Sequence, residues 1–472
     1  MIRSIAWKNI WRSKLRSMVV ILAVGFGLLA GIFSVALMNG MILQRLSSAI
    51  NIEVGSMQLH NSKYLENSEP QFTIPETDKI IENIKQNEAV AAVAKHYKME
   101  CMLSSNRAAT GLNLVGINPE EEKMVSQLYQ FIADSNGTYL TNEGRNPILI
   151  STKTAEKLKI KLRNKIIVNG VKKDGTSTKA SFRVVGIYRT SNSMFDQGNA
   201  FIRYDDAAKI FGFDTNESHE IVILNKEFTE TKELKEQLQN QYTKYKLNDQ
   251  ALLRARNDSI PLAIYNQLTK AKSDELFTKE AYESKLQEIL GKSDFEVYED
   301  NLLQIAESGT SVMTWDESSP DLAMMTTWID LMLFIFVGII LLALGFGIVN
   351  TMLMVVLERT KELGMLMAIG MNRRKVFKMI LLETVMLSLT GGVLGMILSL
   401  GAIAIFKENG LNLNAFAEGF EGMGYASIIY PTISVLNYIE VTLMVVFTGI
   451  LASIYPARRA TKLNPAEAVR SE

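Results

Sequence analysis

The sequence has a single cysteine and only three histidines in 472 residues. One cysteine excludes an intramolecular disulfide, so Cys101 reads as a small core residue. His60, His96 and His219 stand far apart in sequence and share no metal-ligand spacing with Cys101, which argues against a zinc site. No Ser-His-Asp or nucleophile-elbow pattern is present. Gly291-Lys292-Ser293 ends like a phosphate loop, but Leu286 stands where the first glycine belongs. The chain therefore has no visible catalytic constellation and no nucleotide site; it reads as a non-enzyme that needs no metal or cofactor of its own. Net charge is lacking too, since 50 basic residues balance 50 acidic ones, and nucleic-acid binding is not expected.

What is present is charge segregation around long uncharged runs. Residues 1–16 hold Arg3, Lys8, Arg12, Lys14 and Arg16 and no acid. Segment 358–378 holds six basic residues against Glu358 and Glu362, and the tail 456–472 is also net basic. Between Arg16 and Arg45 no charge interrupts 28 residues, between Asp330 and Glu358 27, and between Glu383 and Lys407 23. Glu440 to Arg458 encloses 17, extended upstream by an uncharged run from Gly422. A span needs about 20 apolar residues, so four membrane helices are the natural count. The three basic segments all border helix ends, and the positive-inside rule puts them in the cytoplasm with both termini.

The expected fold is an α-helical membrane protein with four transmembrane helices and a large mixed α+β extracytoplasmic domain inserted between helices 1 and 2. Residues 1–16 form an amphipathic helix in which Trp7 and Trp11 neighbour the basic stripe Lys8, Arg12 and Arg16, a composition suited to the inner leaflet. Helix 1 and a stalk take 17–51, and the inserted domain 52–319. Helix 2, with its stalk, takes 320–357, opened by Ser319-Pro320-Asp321. A cytoplasmic loop at 358–378 leads to helix 3 at 379–406, an outer loop at 407–432, helix 4 at 433–456 and a tail at 457–472. Within the inserted domain, 227–290 is charged, glutamine-rich and helical in period, either a helical lobe or a solvated appendage. Glu383 and Glu440 lie near the ends of their spans, where solvation or snorkelling accounts for them.

Three stretches carry a resemblance to a known family. They are AWKNIWRSKLRS before helix 1, NTMLMVVLERTKELGMLMAIGMNRRKVFKMILLET across helices 2 and 3, and the closing YPARRATKLNPAEAVRSE. With these, the chain resembles the permease subunits of ABC transporters of the MacB, FtsX and lipoprotein-releasing LolC and LolE kind. GINPEEE, FRVVGIYRTSNSMFDQGNAFIRYDDA and VMTWDESSPDLAMM in the inserted domain look like the lipoprotein-releasing branch.

The resemblance implies a dimer with a second permease subunit, in the inner membrane, on a separate cytoplasmic ABC ATPase dimer that uses the ATP. It also implies mechanical transmission to a periplasmic MacB-like core domain, and with it a periplasmic lipoprotein carrier or adaptor. Lipoprotein release or amphiphile extrusion is the first expectation; drug or peptide efflux and control of a cell-wall hydrolase are the alternatives. The contact with the ATPase would fall in 358–370. Leu363, Met365, Leu366, Met367 and Ile369 would fill a groove, Arg359, Lys361 and Glu362 would set the register, and Glu358 would open the contact. Gly364 and Gly370 would allow close approach and a turn.

Overall fold

The structure, a computed structural model, describes residues 14–462 apart from 228–230, 248–250, 253–254, 256–259, 273–276, 293–294, 296, 299–300 and 304–306. The chain divides into two compact units. One holds Met1–Gln44, Met324–Ala417 and Ala426–Glu472; the other holds Arg45–Ala323 with Glu418–Tyr425.

Among the described residues, four helices are long and apolar enough to cross a membrane. Helix α1 (Lys14–Ser48) runs straight into a π-helical turn at Ala49–Val54. Helix α2 (Pro320–Glu358) opens on proline, whose missing N–H costs nothing at a first turn. A short helix α3 (Thr360–Ala368) follows, then α4 (Arg373–Asn409) and α5 (Val435–Thr461). Asn372 caps α4 by accepting from the Arg374 N–H, so the helix begins inside the segment read as a loop. Ser434 caps α5 in the same way, accepting from Asn437.

The bundle core follows from helical spacing. Val20, Val24, Leu28, Ile32 and Val35 form one buried stripe of α1, joined by Ile348, Met352 and Val356 of α2, Met379, Ile380 and Leu387 of α4, and Val441 and Val445 of α5. The opposite faces expose residues such as Phe26, Phe346 and Phe447, as a hydrocarbon solvent permits. Small residues set the closest approach. A Cβ on Gly395 would lie 2.7 Å from the Gly25 carbonyl oxygen, so α1 and α4 meet almost backbone to backbone.

The inserted domain is built on eleven described strands in one sheet. They are β1 (Met57–Asn61), β2 (Val90–Ser104), β3 (Ala109–Ile117), β4 (Ile132–Gly137), β5 (Pro147–Ser151), β6 (Lys165–Val171), β7 (Ser177–Tyr188), β8 (Asn199–Arg203), β9 (Glu220–Asn225), β10 (Thr243–Tyr245) and β11 (Glu307–Thr314). The order is β10-β11-β1-β9-β2-β3-β8-β5-β7-β4, and β6 pairs with β2 and β7. Pairing is antiparallel except for β3 with β8 and β5 with β7. One core gathers Tyr97, Leu114, Ile148, Phe182, Ile202 and Phe211; another gathers Met57, Leu59, Ile221, Ile223, Leu234 and Leu238. Cys101 is buried in the first.

The charged stretch 227–290 divides by its apolar residues. Helix Thr231–Tyr242 packs Leu234 and Leu238 on the sheet core, and β10 adds a strand at the sheet's edge. Helices Leu262–Lys270 and Lys279–Leu290 build a separate core around Tyr245, Leu268, Tyr282 and Leu286, which makes this part a lobe rather than an appendage. Leu286 at the would-be phosphate loop is fully buried there, and Gly291 merely ends the helix.

Candidate functional site

Arg359 stands at the break between α2 and α3, and it organises the hairpin from there. Its Nη1 donates to both oxygens of Glu383, at 3.0 and 3.2 Å, while its Nε donates to Glu362 at 3.0 Å. The Arg359 and Glu383 side chains are 15% and 6% exposed, so one guanidinium nitrogen shared between both carboxylate oxygens makes a charge-assisted pair largely shielded from water. Thr360 Oγ1 donates back to the Leu357 carbonyl. At the far end of α3 the Met371 N–H reaches the Leu366 carbonyl, and Gly370 takes φ +103°, a conformation that glycine alone adopts without strain. The chain thus reverses within a few residues and enters α4.

The residues proposed from sequence come together here but divide between faces. Leu363 and Gly364 are buried, and Leu366 and Met367 pack half-buried on the bundle core. Arg359 and Glu362 are engaged within the hairpin. Lys361, Met365, Ala368 and Ile369 are exposed, and the 361, 365 and 368 spacing puts three of them on one helical face. Glu358 and Gly370 are exposed as well, and Arg373, Arg374 and Lys375 present positive charge on the first turn of α4. Trp7, Lys8, Trp11 and Arg12 lie outside the described residues, and Arg16 falls in the first turns of α1.

Glu383 is a correction to the sequence reading. It is neither solvated nor snorkelling; it is buried and paired. The available signal was an acid inside an apolar run, lying across a tight hairpin from an arginine. Glu440, by contrast, is exposed.

A second polar constellation lies in the inserted domain, on the FRVVGIYRTSNSMFDQGNAFIRYDDA motif. Asn192 caps the helix Ser193–Gly198 and donates to Glu53, whose carboxylate takes both Nη1 and Nη2 of Arg45 at 2.7 and 3.1 Å. Arg189 grips Glu421 through Nη2 at 3.0 and 2.9 Å, holding the segment Glu418–Tyr425 on this domain. Behind them Asp196 accepts from the Thr190 N–H and hydroxyl, and burial pushes its carboxyl up to about 7. The three histidines also meet in this domain although the sequence separates them: His60, His96 and His219 all lie beside Glu220 or its strand neighbours.

Four membrane-length helices, one large α/β insertion after the first and a capped hairpin between the second and third define a multi-pass membrane protein. Residues 17–241 match the MacB-like periplasmic core domain and residues 334–465 the FtsX-like permease C-terminal domain. The chain belongs to this MacB/FtsX-like family of ABC transporter permeases. Among curated relatives, the "Pyoverdine export ATP-binding/permease protein PvdT" of Pseudomonas entomophila (strain L48) is 34% identical over 182 residues, 39% of this chain and 23% of that protein. The "Macrolide export ATP-binding/permease protein MacB 2" of Yersinia pestis bv. Antiqua (strain Antiqua) is 30% identical over 161 residues, 34% of this chain and 21% of that protein. The matched part of the chain spans less than a quarter of the length of either. Among solved structures, the periplasmic region of MacB from Actinobacillus actinomycetemcomitans aligns over 52% of this chain and 97% of that one, at 11% identity and a TM-score of 0.29.

Proposed function

We propose that the chain is the permease subunit of an inner-membrane ABC transporter, with both termini in the cytoplasm and a second permease subunit beside it. A cytoplasmic ATPase dimer uses the ATP and drives it through α3. The observation that carries this reading is the exposed strip Lys361, Met365, Ala368 and Ile369 on a helix held from behind by Arg359 and Glu383. An adaptable methionine beside an apolar isoleucine on a rigidly backed helix suits a groove that must release and regrip during a cycle.

Helix length supports transmission beyond the bilayer. α2 has 39 residues, about 58 Å at 1.5 Å each, against a hydrocarbon core of about 30 Å. The substrate on this reading is a lipoprotein or other amphiphile, handed to a periplasmic carrier or adaptor. At about 0.8 kcal/mol per methylene, one acyl chain of about 15 methylenes is held by roughly 12 kcal/mol, so release needs work. Depleting the protein and fractionating membranes tests this: lipoproteins retained in the inner membrane support it, and an unchanged distribution refutes it.

A second reading is export of small molecules, favoured by relatives named for pyoverdine and macrolide export. Deletion would then raise susceptibility to exported compounds while lipoprotein distribution stays unchanged.

A further inference from the structure

A row of charged and imidazole side chains crosses the sheet of the inserted domain and ends at a cavity. Register places His60 of β1 opposite Glu220 of β9, and Glu220 opposite His96 of β2. His96 lies between two carboxylates: its Nδ1 is 3.1 Å from Glu220 Oε1 and its Nε2 is 2.6 Å from Glu122 Oε2. Burial alone would lower the His96 pKa, but the two carboxylates outweigh it and raise it to about 10. The positive charge of His96 is therefore used up inside the row.

At the other end, the charge of His60 is fixed by its neighbours. Gln58 donates its amide to the Val54 carbonyl, leaving Oε1 to accept from His60 Nε2 at 2.9 Å. This makes Nδ1 the lone-pair nitrogen, and burial lowers the His60 pKa to about 4, so the ring is neutral. His60 is 4% exposed, and among the described residues its Nδ1 has no hydrogen-bond partner. Glu220 Oε2, just behind, makes no hydrogen bond but is paired with the Lys98 ammonium 3.6 Å away. A buried acceptor without a donor is costly, so His60 Nδ1 calls for an explanation.

The explanation is an open cavity of about 250 Å³ lined by His60, Tyr64, Lys98, Glu100 and Asn113 among others. Tyr64, on the helix Ser62–Asn67, lies parallel to the His60 ring at 6.2 Å and donates its hydroxyl to the Lys98 carbonyl. Lys98 is directed to Glu220 at 3.6 Å, and Glu100 stands exposed on the lining. The lining thus offers an imidazole lone pair, a carboxylate and an aromatic ring, while its one cation is already engaged. Those are the partners of an ammonium group. Among the described residues no three His, Cys, Asp or Glu side chains gather to hold a metal ion, which favours an organic cation over a bare one.

We propose that this cavity is a binding site for a small ligand carrying a primary ammonium group, with Glu100 as counter-charge, His60 Nδ1 as acceptor and Tyr64 as the ring beside it. The site is independent of the coupling surface on α3. The test uses the detergent-purified full chain, titrated calorimetrically with butane-1,4-diamine, with butane-1,4-diol as a neutral match and zinc chloride as the metal alternative. Saturable diamine binding, no diol binding, and a loss of about tenfold or more in Glu100→Gln and His60→Phe are expected. Should His60→Phe fail to fold, Glu100→Gln decides, since that side chain is exposed. Diamine binding that is absent, or unchanged in Glu100→Gln, overturns the proposal, as does zinc binding in its place.

Discussion

Arg359 and Glu383 are 24 residues apart and meet through one guanidinium nitrogen, Nη1, at 3.0 and 3.2 Å from the two carboxylate oxygens, fastening the start of α3 to the first third of α4. A charge pair this buried has little net worth against well-packed apolar groups, but losing one partner strands the other. Its value here is geometric: it fixes how α3 is presented, while the outward strip stays free of that task.

Glu383→Ala should accordingly destabilise the bundle by about 3–5 kcal/mol, with Arg359→Leu/Glu383→Leu recovering most of the loss. Thermal unfolding of the detergent-purified variants checks this. A double variant as unstable as the single would show that the pair matters through packing alone.

Close packing of α1 on α4 gives a separate expectation. At Gly395 a Cβ would come within 2.7 Å of the Gly25 carbonyl oxygen and 2.8 Å of the Leu28 Cβ, both on α1. Backbone cannot give way as a flexible side chain does, so Gly395→Leu should cost about 1–3 kcal/mol through overpacking. Gly401→Leu on the same helix meets no such neighbour and should fold normally. Equal melting temperatures for the two variants would refute the backbone contact.

The histidine row makes stability depend on pH in a defined direction. The folded-state pKa of His96 is raised from 6.5 to about 10, where Glu122 and Glu220 outweigh burial. Its contribution is therefore fully present below about 6.5 and is lost as pH rises through about 10. For His60 burial lowers the value from 6.5 to about 4, so its contribution is present above 6.5 and is lost as pH falls toward 4. The melting temperature should fall from pH 6.5 to 10, and His96→Gln should flatten that slope. A slope unchanged in His96→Gln would mean that other groups set it.

Much of this was legible in the sequence, for reasons that residues make plain. The uncharged runs that became α1, α2, α4 and α5 announce themselves because every polar backbone group in a bilayer must be satisfied within the helix. Within the α+β domain, short apolar, β-branched runs such as LNLVGI, ILIS and EIVIL form strands over Leu112–Ile117, Ile148–Ser151 and Glu220–Leu224, as their composition favours. The longest strand, β2, is not marked by its composition, because VAAVAKHYKMECMLS mixes alanine, lysine and glutamate that local preference keeps out of strands. Pairing with β9, β3 and β6 decides it instead. The hairpin at 358–370 was legible as a segment but its faces were not: which of Leu363 and Ile369 is buried depends on where α2 ends and α4 begins. Nor could spacing reveal that His60, His96 and His219 converge, since sheet register sets His60 and His96 on either side of Glu220 and the His219 N–H bonds the His96 carbonyl.

The most direct test of the coupling surface compares its two faces in ATP turnover. With the ATPase partner identified and the complex reconstituted in lipid, Met365→Asp and Ile369→Asp should abolish stimulated turnover while leaving insertion and melting temperature unchanged, because both side chains are exposed. Leu363→Asp, at a position 3% exposed, should lower the melting temperature first. Normal stimulated turnover in both Met365→Asp and Ile369→Asp would contradict the role given to α3.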